Sequence, residues 1–255
     1  AKLDPFSDYD LIIAVRDVMP YFESREWLET FGTVLVLYRD PMQVEGDAQR
    51  FAYITQYEAD FLKIDFSVVN LAYLQRMVAL PTLSDELDVG YRVLLDKDNQ
   101  TADLAPPTDT AFIPKPPPHE AYQRMIELFF HEATYVAKNL WRDELLPAHY
   151  SYTVMQHKHM RVLFEWYIQI ERDWSQKTGA YGKFLKHHVP PELWTRFEAT
   201  FPTAERDTTW QALFTLIDLF RDVAIAVGHD LGYAYPETLH QRCVTYLKGV
   251  QRFEG

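Results

Sequence analysis

Cysteine is nearly absent from this sequence. Cys243 is the single cysteine in 255 residues, so no disulfide can close within the chain and no cysteine-based zinc site can be built. Long apolar runs are also missing. None approaches the roughly 18 to 20 residues that span a bilayer, and the first residues lack the basic-then-apolar order of an export signal. A soluble, cytoplasmic protein is expected, with no membrane partner. Basic charge is scarce: 25 Lys and Arg stand against 37 Asp and Glu, a formal net charge of −12. Such a surface repels nucleic acid phosphates and favours the approach of a cationic small molecule. No Walker-type glycine loop and no nucleophile elbow occurs.

Apolar and aromatic residues, by contrast, are abundant. The hydrophobic fraction is 47%, with 16 Phe, 16 Tyr and 6 Trp, which suits a packed globular protein of one large or two ordinary domains. Strand patterns fill the first hundred residues. In SDYDLIIAV, Leu11 to Val15 enters a core while Asp8 and Asp10 leave the strand on one side. Ser24 can cap a short helix that Gly32 stops. Thr33 to Tyr38, Arg50 to Tyr57 and Phe61 to Val69 are rich in β-branched and aromatic residues, and the last two are close enough for a hairpin. Asn70 to Ala79 has a helical pattern, and Arg92 to Leu95 is expected to be one more strand.

Residues 105 to 118, APPTDTAFIPKPPP, hold six of the 15 prolines and suit an extended linker. The expected domains are therefore 1–105, the linker 106–118 and 119–255. Beyond the linker the apolar period becomes 3.6, from Tyr122 through Leu140, and one long helix is expected over Tyr150 to Trp174. Pro190 and Pro191 precede another helix. Thr208 and Gln211 read as a capping box opening the next, Gly232 ends it, and a last helix follows Pro236. The fold class is thus α+β, a mixed sheet with flanking helices followed by a helical bundle.

Two aspartates side by side repel unless a cation lies between them, so Asp8 and Asp10 are either a divalent metal site or merely the polar entry to a strand. Asp65 interrupts the apolar run FLKIDFSVV. A buried carboxylate needs a partner, and a sheet that brought Asp65 beside the pair would make a three-carboxylate cluster suited to Mg²⁺ and nucleotide phosphates. His157 and His159 are two apart on a helix, which points them about 200° away from each other and argues against a shared metal.

The chain resembles the aminoglycoside 6-adenylyltransferases, the streptomycin-modifying branch of the nucleotidyltransferase superfamily. The resemblance runs in order through DPFSDYDL, REWLETFGTVLVL, LKIDFSVV, KPPPHEAY, YVAKNLWRDELL, PPELW, WQALFTLIDLFRDVAIAVGHDLGYAYP and VTYL. It implies Mg²⁺-dependent transfer of AMP from ATP, as co-substrate, to a hydroxyl of an aminoglycoside of the streptomycin class, an antibiotic-resistance reaction. By the same resemblance Asp8 and Asp10 match the metal-binding pair, and Asp65 the third carboxylate, base or metal ligand. Lys138 and Lys183 match lysines expected to meet the nucleotide phosphates. A Gly-Ser element that holds the triphosphate is expected just upstream of Ala1, so the sequence begins within that loop. Where the family carries an acidic residue after DELL, this chain has Tyr150 beside His149; Glu58, Asp143 and Glu144 are the acids that could replace it. Two other readings compete: a nucleotidyltransferase with a different acceptor, and a catalytically silent nucleotide-binding protein.

Overall fold

Alternation between apolar and polar residues is what builds the first sheet. In the computed structural model, which describes residues 4–253, its strands are β1 (Tyr9–Val15), β2 (Val34–Arg39), β3 (Gln43–Glu45), β4 (Ala48–Tyr57) and β5 (Lys63–Asn70). The order is β1-β5-β4-β2, with β3 paired to β4. β1 and β5 run parallel and every other pairing is antiparallel, so the sheet is mixed. The Gly-Ser loop expected at Ala1 lies outside the described residues.

One face of this sheet makes a core. Leu11, Ile13 and Val15 of β1, Phe51 and Tyr53 of β4, and Ile64, Phe66 and Val68 of β5 pack with Val18 and Leu28. Burying such side chains stabilises by roughly 1.5 to 3 kcal/mol each. Helix α1 (Met19–Glu23) and a 3₁₀ segment, Glu26–Phe31, supply Phe22 and Trp27 to that core. The Ser24 hydroxyl accepts from the Glu26 N–H, but the residue at the N-cap position is Arg25, and Gly32 ends the segment at φ 138°. Asn70 caps α2 (Leu71–Val78) by accepting from the Tyr73 N–H. On the opposite face, α2 meets the sheet through Tyr73, whose hydroxyl accepts from Arg50. A short α3 (Asp85–Asp88) follows.

The expected strand over Arg92 to Leu95 does not form. Its apolar residues find no partner strand, and Leu94 and Leu95 are 71% and 73% exposed. The three residues of β3 were not expected; they exist because Gly46, at φ 60°, turns the chain tightly back into β4.

The chain divides into two compact units, Ala1–Asp109 and Thr110–Gly255. The second is entirely helical: α4 (His119–Trp141), α5 (Leu145–Val154), α6 (Arg161–Tyr167), α7 (Leu185–His188), α8 (Pro191–Glu198), α9 (Arg206–Leu231) and α10 (Glu237–Arg252). The stripe Tyr122, Ile126, Phe129, Ala133, Val136 and Leu140 is buried, and Phe129 stacks on Phe220 of α9 at 3.7 Å between ring centres. The long helix expected over Tyr150 to Trp174 is instead α5, a π-helical segment Met155–Met160, and α6, ending at Tyr167. The π-helical segment adds a residue per turn at QHKHM and buries Met155, Gln156, His159 and Met160. Nor do Thr208 and Gln211 open α9. The N-cap is Glu205, three residues earlier, and the Thr208 and Thr209 hydroxyls both donate back to the Glu205 carbonyl. Gly232 ends α9 in the left-handed conformation, φ 74°. Among the described residues no helix is long and apolar enough to cross a membrane.

Candidate active site

The register of β1 against β5 determines which polar side chains meet. Tyr9 lies opposite Ile64 and Asp10 opposite Asp65. Side chains alternate along each strand, so the residues that put Leu11 and Phe66 into the core put Asp8, Asp10, Lys63 and Asp65 on the other face. Three carboxylates and one ammonium thus share a corner of the sheet.

Lys63 Nζ is the tie among them. It lies 2.8 Å from Asp8 Oδ2 and 3.0 Å from Asp65 Oδ2, donating to both. Its own proton is held more tightly than usual: the two carboxylates raise its pKa against the opposing effect of its partial burial. The second oxygen of Asp65, Oδ1, is buried and accepts no hydrogen bond among the described residues. The Asp10 carboxylate has no hydrogen bond or ion pair among the described residues. Its carboxyl is pushed above the ordinary range, first by partial burial, then by Asp65; Lys63 opposes the shift, and Asp8 and Glu86 add to it.

The residue chemistry fits a hard divalent cation. Carboxylate oxygens are the donors Mg²⁺ takes, one of them is buried without a donor, and Asp8 and Asp65 already share a single positive charge. The side chains as placed grip that ammonium instead: among the described residues no three His, Cys, Asp or Glu converge as a metal site. Lys63 is the residue that reading the sequence missed. The signal was there in LKIDF, where a spacing of two places Lys63 and Asp65 on one face.

The other candidates stand on other elements. Lys138, half-buried on α4, sets Nζ 4.1 Å from the centre of the Tyr135 ring, a cation–π contact within its own helix. Lys183 is exposed just after the tight turn Ala180–Gly182, where Tyr181 takes a positive φ of 56°. Glu58 is exposed beside the β4–β5 turn. Asp143 and Glu144 are exposed and line a hollow of about 80 Å³ together with Arg206. Tyr150 is 72% exposed.

Comparison with known proteins agrees over nearly the whole length. The family model described as streptomycin adenylyltransferase matches residues 1–250. An aminoglycoside 6-adenylyltransferase of Campylobacter jejuni is 28% identical over 235 residues, covering 91% of this chain and 79% of that protein. One from Bacillus subtilis strain 168 is also 28% identical, over 97% of this chain and 85% of its own. One from Staphylococcus aureus is 26% identical over 99% and 85%. A crystal structure of an aminoglycoside 6-adenyltransferase from Bacillus subtilis superposes with a TM-score of 0.53 at 24% identity, covering 96% of this chain and 89% of that one, which establishes a common fold.

Proposed function

The chain belongs to the streptomycin adenylyltransferase family, and from that membership we propose that it transfers AMP from ATP to a hydroxyl of an aminoglycoside of the streptomycin class. The observation that carries the reading is the pairing of Asp10 with Asp65 on adjacent parallel strands, with Asp8 tied to Asp65 through Lys63. Asp8 and Asp10, with Asp65 beside them, would hold Mg²⁺. Bound there, the cation supplies charge neutralisation for the triphosphate.

Asp65 serves as the acceptor of the substrate hydroxyl's proton. The deprotonating oxygen attacks the α-phosphorus in line, the bond to the bridging oxygen breaks, and pyrophosphate departs with the electron pair. Holding the hydroxyl in place removes much of the entropic barrier, and fixed charge favours the transition state over the ground state. Lys138 and Lys183 are proposed phosphate contacts on the family resemblance. The −12 net charge speeds encounter with a cationic acceptor.

The test is pyrophosphate release from ATP and Mg²⁺ across an aminoglycoside panel, with Asp8→Asn as control. Release that depends on streptomycin and is lost in Asp8→Asn supports the reading. Equal release with and without every aminoglycoside tested overturns it. Release dependent on another aminoglycoside moves the acceptor and keeps the chemistry.

A further inference from the structure

Lys63 occupies the position that charge balance would give to a metal ion. It sits two residues before Asp65 on β5, and its ammonium bridges Asp8 Oδ2 at 2.8 Å and Asp65 Oδ2 at 3.0 Å. An ammonium and a divalent cation both seek these oxygens and cannot both have them. The lysine has the properties of an exchangeable ligand: a compact charge on a flexible stem, 28% exposed, where the full solvation of a departing ammonium is within reach. It leaves the Asp10 carboxylate and the buried Asp65 Oδ1 without a partner among the described residues, so the carboxylate face is incompletely neutralised even when Lys63 is in place.

We propose that Lys63 is a resident counter-ion of this face, exchanging with the divalent cation and thereby setting how tightly the free protein holds one. The proposal rests on the metal role given to Asp8, Asp10 and Asp65 above. It makes Lys63 a positioning residue. In the empty protein it keeps two like charges together in the arrangement the cation needs, and its removal raises cation affinity because a competing positive charge is gone. An interstrand ion pair that only braces the sheet makes the opposite prediction, since losing it would loosen the carboxylates and weaken binding.

The experiment measures Mn²⁺ binding to the whole chain by electron paramagnetic resonance, without nucleotide, for the wild type, Lys63→Met, Lys63→Arg and Asp8→Asn, and for Asp8→Asn combined with Lys63→Met. Removing the competing positive charge, which lies about 3 Å from the carboxylate oxygens the cation needs, is expected to tighten binding at least about tenfold in Lys63→Met. Lys63→Arg, which keeps the charge, stays within about threefold of wild type. Melting is followed with and without Mn²⁺: Lys63→Met melts below wild type when empty and gains more on saturation. Lys63→Gln provides the same measurement if the methionine variant fails to fold. Unchanged or weaker Mn²⁺ binding in the Lys63→Met and Lys63→Gln variants, with binding still lost in Asp8→Asn, overturns the counter-ion role while the metal role stands. Binding indifferent to Asp8→Asn in either background overturns both.

Discussion

Asp10 and Asp65 stand directly opposite each other on parallel strands, two carboxylates on one sheet face, and the Lys63 ammonium is bonded to Asp65 and Asp8 and not to Asp10. This is an unfavourable arrangement for a protein that has nothing to bind there. Stability is given up locally, by burial and by like charge, at the place where the proposed chemistry needs charge.

Neutralising Asp10 should therefore stabilise the fold while abolishing transfer. The folded carboxyl has a pKa above its unfolded value of 3.8, so between those two values the native state binds more protons than the unfolded state. Stability falls as pH rises through that window, and the penalty is fully present at neutral pH. Asp10→Asn removes it. A rise of about 1 to 3 °C in Tm at pH 7 is expected for this partly exposed group, vanishing below pH 3.8. Differential scanning calorimetry against pH measures it, and a lower Tm at pH 7 would contradict the like-charge account.

Asp65→Asn keeps shape and loses both negative charge and proton acceptance. kcat should fall by roughly two to four orders of magnitude, with the acceptor KM changed only a few-fold, since the group acts on the reacting hydroxyl more than on the bound ground state. Steady-state pyrophosphate release checks this. A large KM change at constant kcat would make Asp65 a substrate-binding group.

How much of this was visible beforehand differs residue by residue. The strand around Asp65 and the helix after Asn70 follow from local pattern, and so do the Gly232 stop and the buried stripe of α4. The pairing of Asp10 with Asp65 does not, because β1 skips over β2, β3 and β4 in the chain to lie beside β5, and such a crossover leaves no mark in a window of ten residues. Family resemblance supplied what periodicity could not. Arg92 to Leu95 misled because an apolar run needs a partner edge as well as a pattern, and the sheet offers it none. The π segment at Met155 misled for a different reason: one added residue resets the phase of the stripe, so a single period fitted across it loses the break.

The lysines proposed for phosphate should separate from the carboxylates kinetically. Lys138→Ala and Lys183→Ala are each expected to raise the ATP KM by about tenfold, through loss of one charge-assisted contact, with a smaller change in the acceptor KM. Lys138→Ala also frees the Tyr135 ring, a partly exposed contact of small energetic consequence, so its melting temperature should stay within about 1 °C of wild type. An unchanged ATP KM in either variant would return that lysine to the solvated surface.

Gly228 poses a contest of magnitudes in the helical unit. It lies inside α9, where replacing Gly by Ala ordinarily stabilises by about 1 kcal/mol. Here a Cβ would fall 2.6 Å from the Tyr122 hydroxyl oxygen and 2.7 Å from the Tyr233 carbonyl oxygen, and the second is backbone that cannot swing away. Tyr122 is itself fully buried, donates to the Ala224 carbonyl at 2.8 Å, and has its phenol pushed up to about 12 by burial, so it stays a neutral donor. Overpacking costs about 1 to 3 kcal/mol, and displacing the hydroxyl from Ala224 adds about 1 kcal/mol. The steric cost wins, and Gly228→Ala should destabilise by about 2 kcal/mol in urea titration. In a Tyr122→Phe background the hydroxyl clash is gone while the Tyr233 clash remains, so the same substitution should cost less by about 0.5 to 1 kcal/mol. Strict additivity of the two changes would show that Tyr122 is not what the new methyl group meets.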